Sequence, residues 1–233
     1  MIAQLLPAGV CAAEAYGDHL LVPLFPGEQA QVTHSTALRH QEYSTVRGCA
    51  RTALTKLGHA PGPLIRGSGG APRWPDGVVG SLTHCRGYRA AAAARAEDLR
   101  ALGIDAEPAL LLPDGVLGLV ATEAERVHVS ALTRSEPDTP WDRLLFCAKE
   151  AAYKAWYPLT GRWLSLRAMS VRLDPGGTFT AVPHEPERSE PALFAGRWRA
   201  GRGLLLAAAT LPDDRPVQDL EGPVPRAGER STL

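Results

Sequence analysis

The sequence predicts an α+β fold made of two similar subdomains, each a long helix packed on a small antiparallel sheet. Three observations predict it. Residues 35–58 and 141–157 place apolar side chains three and four positions apart, the spacing of a helix with one buried face. Much of the chain after residue 78 reads as short strand-like runs punctuated by Gly and Pro. Finally, Cys49-Ala50-Arg51-Thr52-Ala53-Leu54-Thr55-Lys56 matches Cys147-Ala148-Lys149-Glu150-Ala151-Ala152-Tyr153-Lys154 at a constant offset, with the Cys, two Ala and the Lys identical. Taken as a repeat, this gives a subdomain over 1–108, a second over 109–211 and a tail over 212–233, with the halves meeting near residues 106–114. A cleft between two such halves is a common ligand site.

In chain order, residues 1–34 offer only short apolar pieces such as Leu20-Leu21-Val22-Pro23-Leu24-Phe25, a strand or extended segment. The helix over 35–58 has a buried stripe of Leu38, Val46, Ala50, Ala53, Leu54 and Leu57, and Gly58 stops it. Arg39, Tyr43, Arg47 and Arg51 follow at intervals of four and form a slowly drifting line on its surface, either a solvated basic face or a place to hold phosphate. Residues 59–77 are rich in Gly and Pro and read as loop. The segment lacks the Gly-Lys-Ser/Thr ending of a P-loop, although its backbone amides and Arg66 can still approach a phosphate.

Val78 to Cys85 reads as a strand and Tyr88-Arg89 with the following alanines as its partner, despite the helical preference of alanine. Leu102 to Pro108 is a further strand on which Asp105 and Glu107 point to the same side. A helix is expected from Val116 to about Leu132, then a polar linker over 133–139. For the second long helix, Thr139 supplies an N-cap oxygen, Pro140 suits the first helical position, Asp142 is a first-turn anion and Pro158 blocks continuation. Trp163 to Leu166, Met169 to Leu173, Phe179 to Val182, Leu193 to Trp198 and Leu204 to Leu211 continue an antiparallel pattern. Residues 212–233 hold four prolines, many charges and no aromatic residue, the composition of a disordered tail.

Bulk properties narrow the function. Lys plus Arg and Asp plus Glu balance at 25 each over 233 residues, so the chain lacks the global field of a duplex-DNA binder and no nucleic-acid partner is expected. Its apolar runs are too short to span a bilayer, and Met1 to Leu6 lacks the basic start of a signal peptide, which together read as a cytoplasmic protein with no membrane partner. Cys11, Cys49, Cys85 and Cys147 are scattered without a Cys-x-x-Cys and read as free thiols in apolar sites.

The chemistry concentrates in three acids. Asp105 and Glu107 on one side of a strand repel unless they are solvated or share a cation, and Mg²⁺ takes one or two carboxylates while completing its shell with water and substrate phosphates. Glu150 is the third acid. Lys154 lies one turn beyond it and can touch it; alone, such a pair is a surface ion pair worth under about 1 kcal/mol.

Gly103-Ile104-Asp105-Ala106-Glu107 followed by Phe146-Cys147-Ala148-Lys149-Glu150-Ala151-Ala152-Tyr153-Lys154-Ala155 resembles the two signature motifs of the 4′-phosphopantetheinyl transferases, most closely the Sfp/EntD-like class and its actinobacterial type II members. Trp74-Pro75-Asp76-Gly77 and Gly80-Ser81-Leu82-Thr83-His84-Cys85 fit as well, so the likeness runs over roughly residues 35–211. The resemblance implies the fold of that family, a pseudo-twofold monomer. It also implies transfer of 4′-phosphopantetheine from coenzyme A to a serine of acyl and peptidyl carrier proteins, with release of adenosine 3′,5′-bisphosphate. Carried over by position, Asp105, Glu107 and Glu150 would hold Mg²⁺, and Glu150, or failing that Glu107, would take the serine proton. Lys154 would neutralise or protonate the leaving phosphate, and Arg39, Arg47, Arg66, Thr83, His84, Lys149 and Lys154 would contact coenzyme A. Arg66 stands where several relatives have Lys, which keeps the charge and changes its geometry. Carrier docking is expected at Leu110 to Val120. Two other readings share the paired acids: a metal-dependent nucleotide-sugar glycosyltransferase, and a non-catalytic coenzyme A or nucleotide-binding module in which Glu150 and Lys154 are only a surface pair.

Overall fold

A computed structural model describes residues 1–18, 22–184, 186–187, 190–191 and 193–212. Of the expected tail over 212–233 only Pro212 is described, as the end of a strand; the rest of it, and the part of the Leu20–Phe25 segment before Val22, lie outside the described residues.

In the first half, β1 (Cys11–Tyr16) is followed by the short helix α1 (Pro26–Ala30), the long helix α2 (Ala37–Lys56) and the hairpin of β2 (Val78–Cys85) and β3 (Tyr88–Arg95). These strands form an antiparallel sheet in the order β1-β3-β2. The second half runs through β4 (Leu99–Pro108), the helices α3 (Val116–Val120), α4 (Glu123–Ser135) and α5 (Trp141–Thr160), and the strands β5 (Met169–Asp174), β6 (Thr178–Pro183), β7 (Phe194–Gly201) and β8 (Leu204–Pro212). Its sheet has the order β4-β8-β7-β6-β5. Both halves share one scheme of connection: a strand, a long helix, then a hairpin whose second strand returns to pair with the first.

The alanine run becomes a strand because two layers close on it. Ala90, Ala92 and Ala94 face the core shared with β4 and β8, whereas Ala91 and Ala93 face α2, and all five are fully buried. Small side chains let helix and sheet approach from opposite faces, and this packing overrides the helical propensity. Strand β8 repeats the arrangement, with Leu205, Ala207 and Ala209 toward α5 and Leu204, Leu206 and Ala208 toward the first sheet. The molecule is therefore layered as helix, sheet, sheet, helix.

At one margin β2 and β4 run side by side and are tied through side chains: Ser81 Oγ accepts from the Ile104 amide at 3.0 Å, and Thr83 Oγ1 donates to Asp105 Oδ1 at 3.2 Å. Strand β4 is hydrogen-bonded to β8 and belongs to the second sheet, although β2 of the first lies beside it.

Several local expectations are corrected. Pro158 does not stop α5, which continues to Thr160 without the bond that an amide at 158 would give the Lys154 carbonyl, and Gly161, left-handed at φ 64°, ends the helix. Thr139 makes no side-chain cap, since the cap position falls on Pro140. The helix expected over 116–132 is broken by extended Ala121, after which Thr122 and Glu125 form a capping box that starts α4. Leu38 is 60% exposed instead of buried. Residues 163–166 lack strand structure, and β1 and α1 arise where the sequence offered no pattern.

Candidate active site

Helix α5 lies directly on β4. A Cβ on Gly103 would meet the Ala151 carbonyl oxygen at 1.9 Å, so only glycine admits this contact. The close approach sets α5 over the strand face that carries Asp105 and Glu107, and Lys154 bridges the two elements: its Nζ donates to Asp105 Oδ1 at 2.6 Å and to the Ile104 carbonyl at 3.3 Å. Glu150, one turn earlier, keeps no such partner; it makes no ion pair or side-chain hydrogen bond among the described residues. The sequence pairs Glu150 with Lys154, whereas the structure gives Lys154 to Asp105. Burial, together with the nearby charge of Asp105, raises the Glu150 carboxyl above the ordinary carboxylate range against the pull of Lys154. For Lys154, burial favours the neutral amine, but Asp105 outweighs it and holds the ammonium form above its usual range.

Glu107 is raised by burial and by Asp105, and it is tied to Arg143 Nη1 at 2.9 Å. Arg143 also donates to the carbonyls of Leu110 and Leu111, so the first turn of α5 clasps the chain that leaves β4. No sequence signal pointed to this arginine, because it forms no motif with Glu107, its partner 36 positions away.

Glu150 and Lys154 line a cavity of about 280 Å³ whose opposite wall belongs to the first half. Arg39, Tyr43 and Arg47 of α2, Arg66 of the Gly/Pro-rich loop and His84 of β2 face it, with Trp74, Tyr153 and Tyr157 as aromatic lining. The helical line foreseen on α2 thus divides. Arg39 and Arg47 reach the cavity, while Arg51 pairs with buried Glu28 and bonds the Pro23 carbonyl. The Arg47 guanidinium sits 3.9 Å from the Tyr43 ring centroid, and that of Arg66 sits 5.5 Å from it.

Arg39 Nη1 approaches His84 Nε2 to 2.7 Å. A guanidinium only donates, so Nε2 accepts and the imidazole is neutral with its proton on Nδ1, 3.8 Å from Glu42. Burial and the Arg39 charge both push the His84 pKa down, in agreement.

Two of the residues expected at the ligand, Lys149 and Thr83, lie away from the cavity lining. Lys149 is fully buried on the other side of α5, donating to the carbonyls of Leu166 and Met169 at 2.8 and 2.7 Å and pairing with Glu125 at 2.8 Å. Adjacent helical residues point ~100° apart, so Lys149 cannot share the face of Glu150. Thr83 is 2% exposed and turns its hydroxyl to Asp105, joining the halves rather than lining the cavity.

Among the described residues, no three His, Cys, Asp or Glu side chains are gathered into a ready-made metal cage. The donors nonetheless fit a hard divalent ion. Asp105 Oδ2 is buried without a hydrogen-bond partner, and the Glu150 carboxylate has no side-chain partner among the described residues. An ion that takes one or two carboxylates and fills its shell with water and phosphate oxygens needs no complete cage beforehand.

Comparison with known proteins points the same way. Residues 27–94 match the family model described as the 4′-phosphopantetheinyl transferase N-terminal domain, and residues 101–202 match the 4′-phosphopantetheinyl transferase superfamily. The chain is 48% identical to the 4′-phosphopantetheinyl transferase Svp of Streptomyces mobaraensis, covering 100% of this chain and 97% of that protein. It is 43% identical to PptT of Mycobacterium tuberculosis, over 91% of this chain and 98% of the relative, and 43% identical to Npt of Nocardia iowensis, over 89% and 98%. Both of these relatives are also 4′-phosphopantetheinyl transferases.

Proposed function

Because the chain belongs to the 4′-phosphopantetheinyl transferase superfamily, we propose that it moves 4′-phosphopantetheine from coenzyme A to a serine of acyl and peptidyl carrier proteins and releases adenosine 3′,5′-bisphosphate. One observation carries the reading: Glu150 and Lys154 of one half meet Arg39, Arg47, Arg66 and His84 of the other around a single cavity. A nucleotide-sugar transferase or a passive binding module would share such a basic wall, and the family match favours transfer over both.

Three arginines on one wall, with His84 beside Arg39, suit a ligand rich in phosphate, since a coenzyme A molecule must be held by its charged end. Asp105, Glu107 and Glu150 would hold Mg²⁺. When bound, the ion neutralises charge on the pyrophosphate and so favours attack at phosphorus. In the transfer, the serine oxygen forms a bond to the pantetheine-side phosphorus, and the bridging oxygen departs with its electron pair on adenosine 3′,5′-bisphosphate. Glu150 receives the serine proton. It suits that role better than Glu107, because its carboxylate is unpartnered among the described residues, whereas Glu107 is engaged by Arg143. Lys154 stays protonated beside Asp105 and lowers the cost of the charge that gathers on the departing phosphate.

The same reading takes the chain as a pseudo-twofold monomer, since both walls of the cavity come from one chain. It places the enzyme in the cytoplasm; four free cysteines suit a reducing compartment. No helix among the described residues is long and apolar enough to cross a membrane. The segment Leu110 to Val120 is the proposed carrier contact, and Leu110, Leu111 and Leu119 there are 65%, 70% and 76% exposed. The test is direct: incubate the protein with coenzyme A, Mg²⁺ and an apo carrier protein, then weigh the carrier. A mass increase equal to phosphopantetheine supports transfer, and no increase on any of several acyl and peptidyl carriers would refute it.

A further inference from the structure

The loop that supplies Arg66 has little regular pairing of its own, only the isolated bridge between Arg66 and Pro72. It nonetheless holds a cation against the cavity. That bridge is closed by the Gly67 amide on the Ala71 carbonyl at 2.7 Å and the Arg73 amide on the Ile65 carbonyl at 2.9 Å, and the outward backbone groups are anchored by the short helix α1 and the residue that follows it. Glu28, fully buried, accepts from the Leu64 amide at 2.9 Å, and the Leu64 carbonyl in turn accepts from Arg47 Nε at 2.8 Å. One helical turn on, the Gln31 side chain takes both backbone groups of Arg66: its Oε1 accepts from the Arg66 amide at 3.0 Å and its Nε2 donates to the Arg66 carbonyl at 3.5 Å. Together Glu28 and Gln31 satisfy alternate residues of an extended segment, as a neighbouring strand would.

Gln31 does a second thing. Its Oε1 also accepts from the Tyr43 hydroxyl at 2.8 Å, which orients the aromatic ring beside the guanidinium of Arg66. A single side-chain amide therefore sets both the backbone that carries Arg66 and the ring beside its charged end. Gln31 is not among the residues lining the cavity.

We propose that Gln31 is a positioning residue for coenzyme A: it acts through Arg66, aiming that guanidinium at the phosphates, and touches neither substrate. The inference rests on the functional reading above and adds the group that makes Arg66 effective. An exposed arginine on an unsupported loop must lose chain and rotamer entropy each time it binds, and a preorganised one has lost it already.

The test is a double-mutant cycle on Gln31→Met and Arg66→Ala, read as kcat/KM for coenzyme A and as coenzyme A binding by calorimetry. Methionine keeps the length and removes all three hydrogen bonds. In the wild-type background Gln31→Met should weaken coenzyme A binding about tenfold, the effect of losing hydrogen bonds of ordinary strength, and leave kcat at saturating coenzyme A unchanged. In the Arg66→Ala background the same substitution should cost no more than about twofold, because its target is gone. Equal losses in both backgrounds would overturn the proposal, as would no loss in the first, or a fall in kcat with KM unmoved. Should the wild-type protein itself fail to bind coenzyme A, the functional reading falls instead, which keeps the two failures apart.

Discussion

Adjacent residues on α5 illustrate how burial separates function from structure. Lys149 shares a motif with Glu150, yet its ammonium is enclosed by Glu125 and two carbonyls. Lys149→Met leaves Glu125 buried without its counter-charge and should cost about 3–5 kcal/mol of stability. Urea denaturation measures that loss, while kcat/KM for coenzyme A of the folded protein should hold; a raised KM with unchanged stability would return Lys149 to the cavity. Glu150→Gln should do the reverse. Its kcat should fall by at least about 10²-fold, since the proposed proton acceptor is gone. Its stability should rise, with a sign fixed by linkage. The native carboxyl is raised, so the folded state binds more protons than the unfolded state between the ordinary carboxylate value and the raised one, and wild-type stability is lost as pH rises through that window. Glutamine carries no such penalty. In metal-free buffer the variant should therefore melt above wild type near neutral pH, and the difference should vanish below about pH 4.

At the level of elements, the contact between α5 and β4 decides whether the site exists. Glycine at 103 is required because the helix backbone occupies the space of a side chain; the Ala155 amide nitrogen, too, would lie only 2.6 Å from an added Cβ. Gly103→Ala must push α5 away from the strand, at a cost of about 1–3 kcal/mol by overpacking. Lys154 and Glu150 ride on that helix, so kcat should drop about 10²-fold even where the fold survives. Gly62→Ala, in the loop before β2 and away from the cavity, is the control, since nothing lies within 4 Å of its added carbon. It should leave kcat unchanged, and steady-state rates with melting curves distinguish the two. The repeat seen in the sequence also acquires a physical meaning at this scale. Cys49 and Cys147 each point a thiol at a strand carbonyl, of Arg89 and Leu205, and Lys56 and Lys154 each reach a carbonyl on the first strand of their half, of Ala12 and Ile104. Among the described residues only the second lysine also meets a carboxylate, and the cavity opens beside it.

Across the whole molecule the two halves share a core, are tied at β2 and β4, and contribute opposite walls to the cavity. A ligand in that cavity stabilises both at once. Coenzyme A at one hundred times its Kd should add about 2.7 kcal/mol to unfolding, and calorimetry should show one transition moving upward. Two transitions, only one of which shifts, would show that the ligand grips a single half.

The amino-acid sequence determined a good part of this. Helical spacing placed α2 and α5, period-two spacing placed Asp105 and Glu107 on one side of β4, and local motifs brought Glu150 and Lys154 forward, because each of these depends on neighbours within a turn or a strand. The tertiary structure decided the rest. It gave Lys154 to Asp105 instead of Glu150, enclosed Lys149, turned Thr83 toward the seam, and recruited Arg143, Glu28 and Gln31 from segments with no motif. Those assignments follow from which backbones can approach and which charges must find a partner once water is excluded, and both are properties of the packed chain.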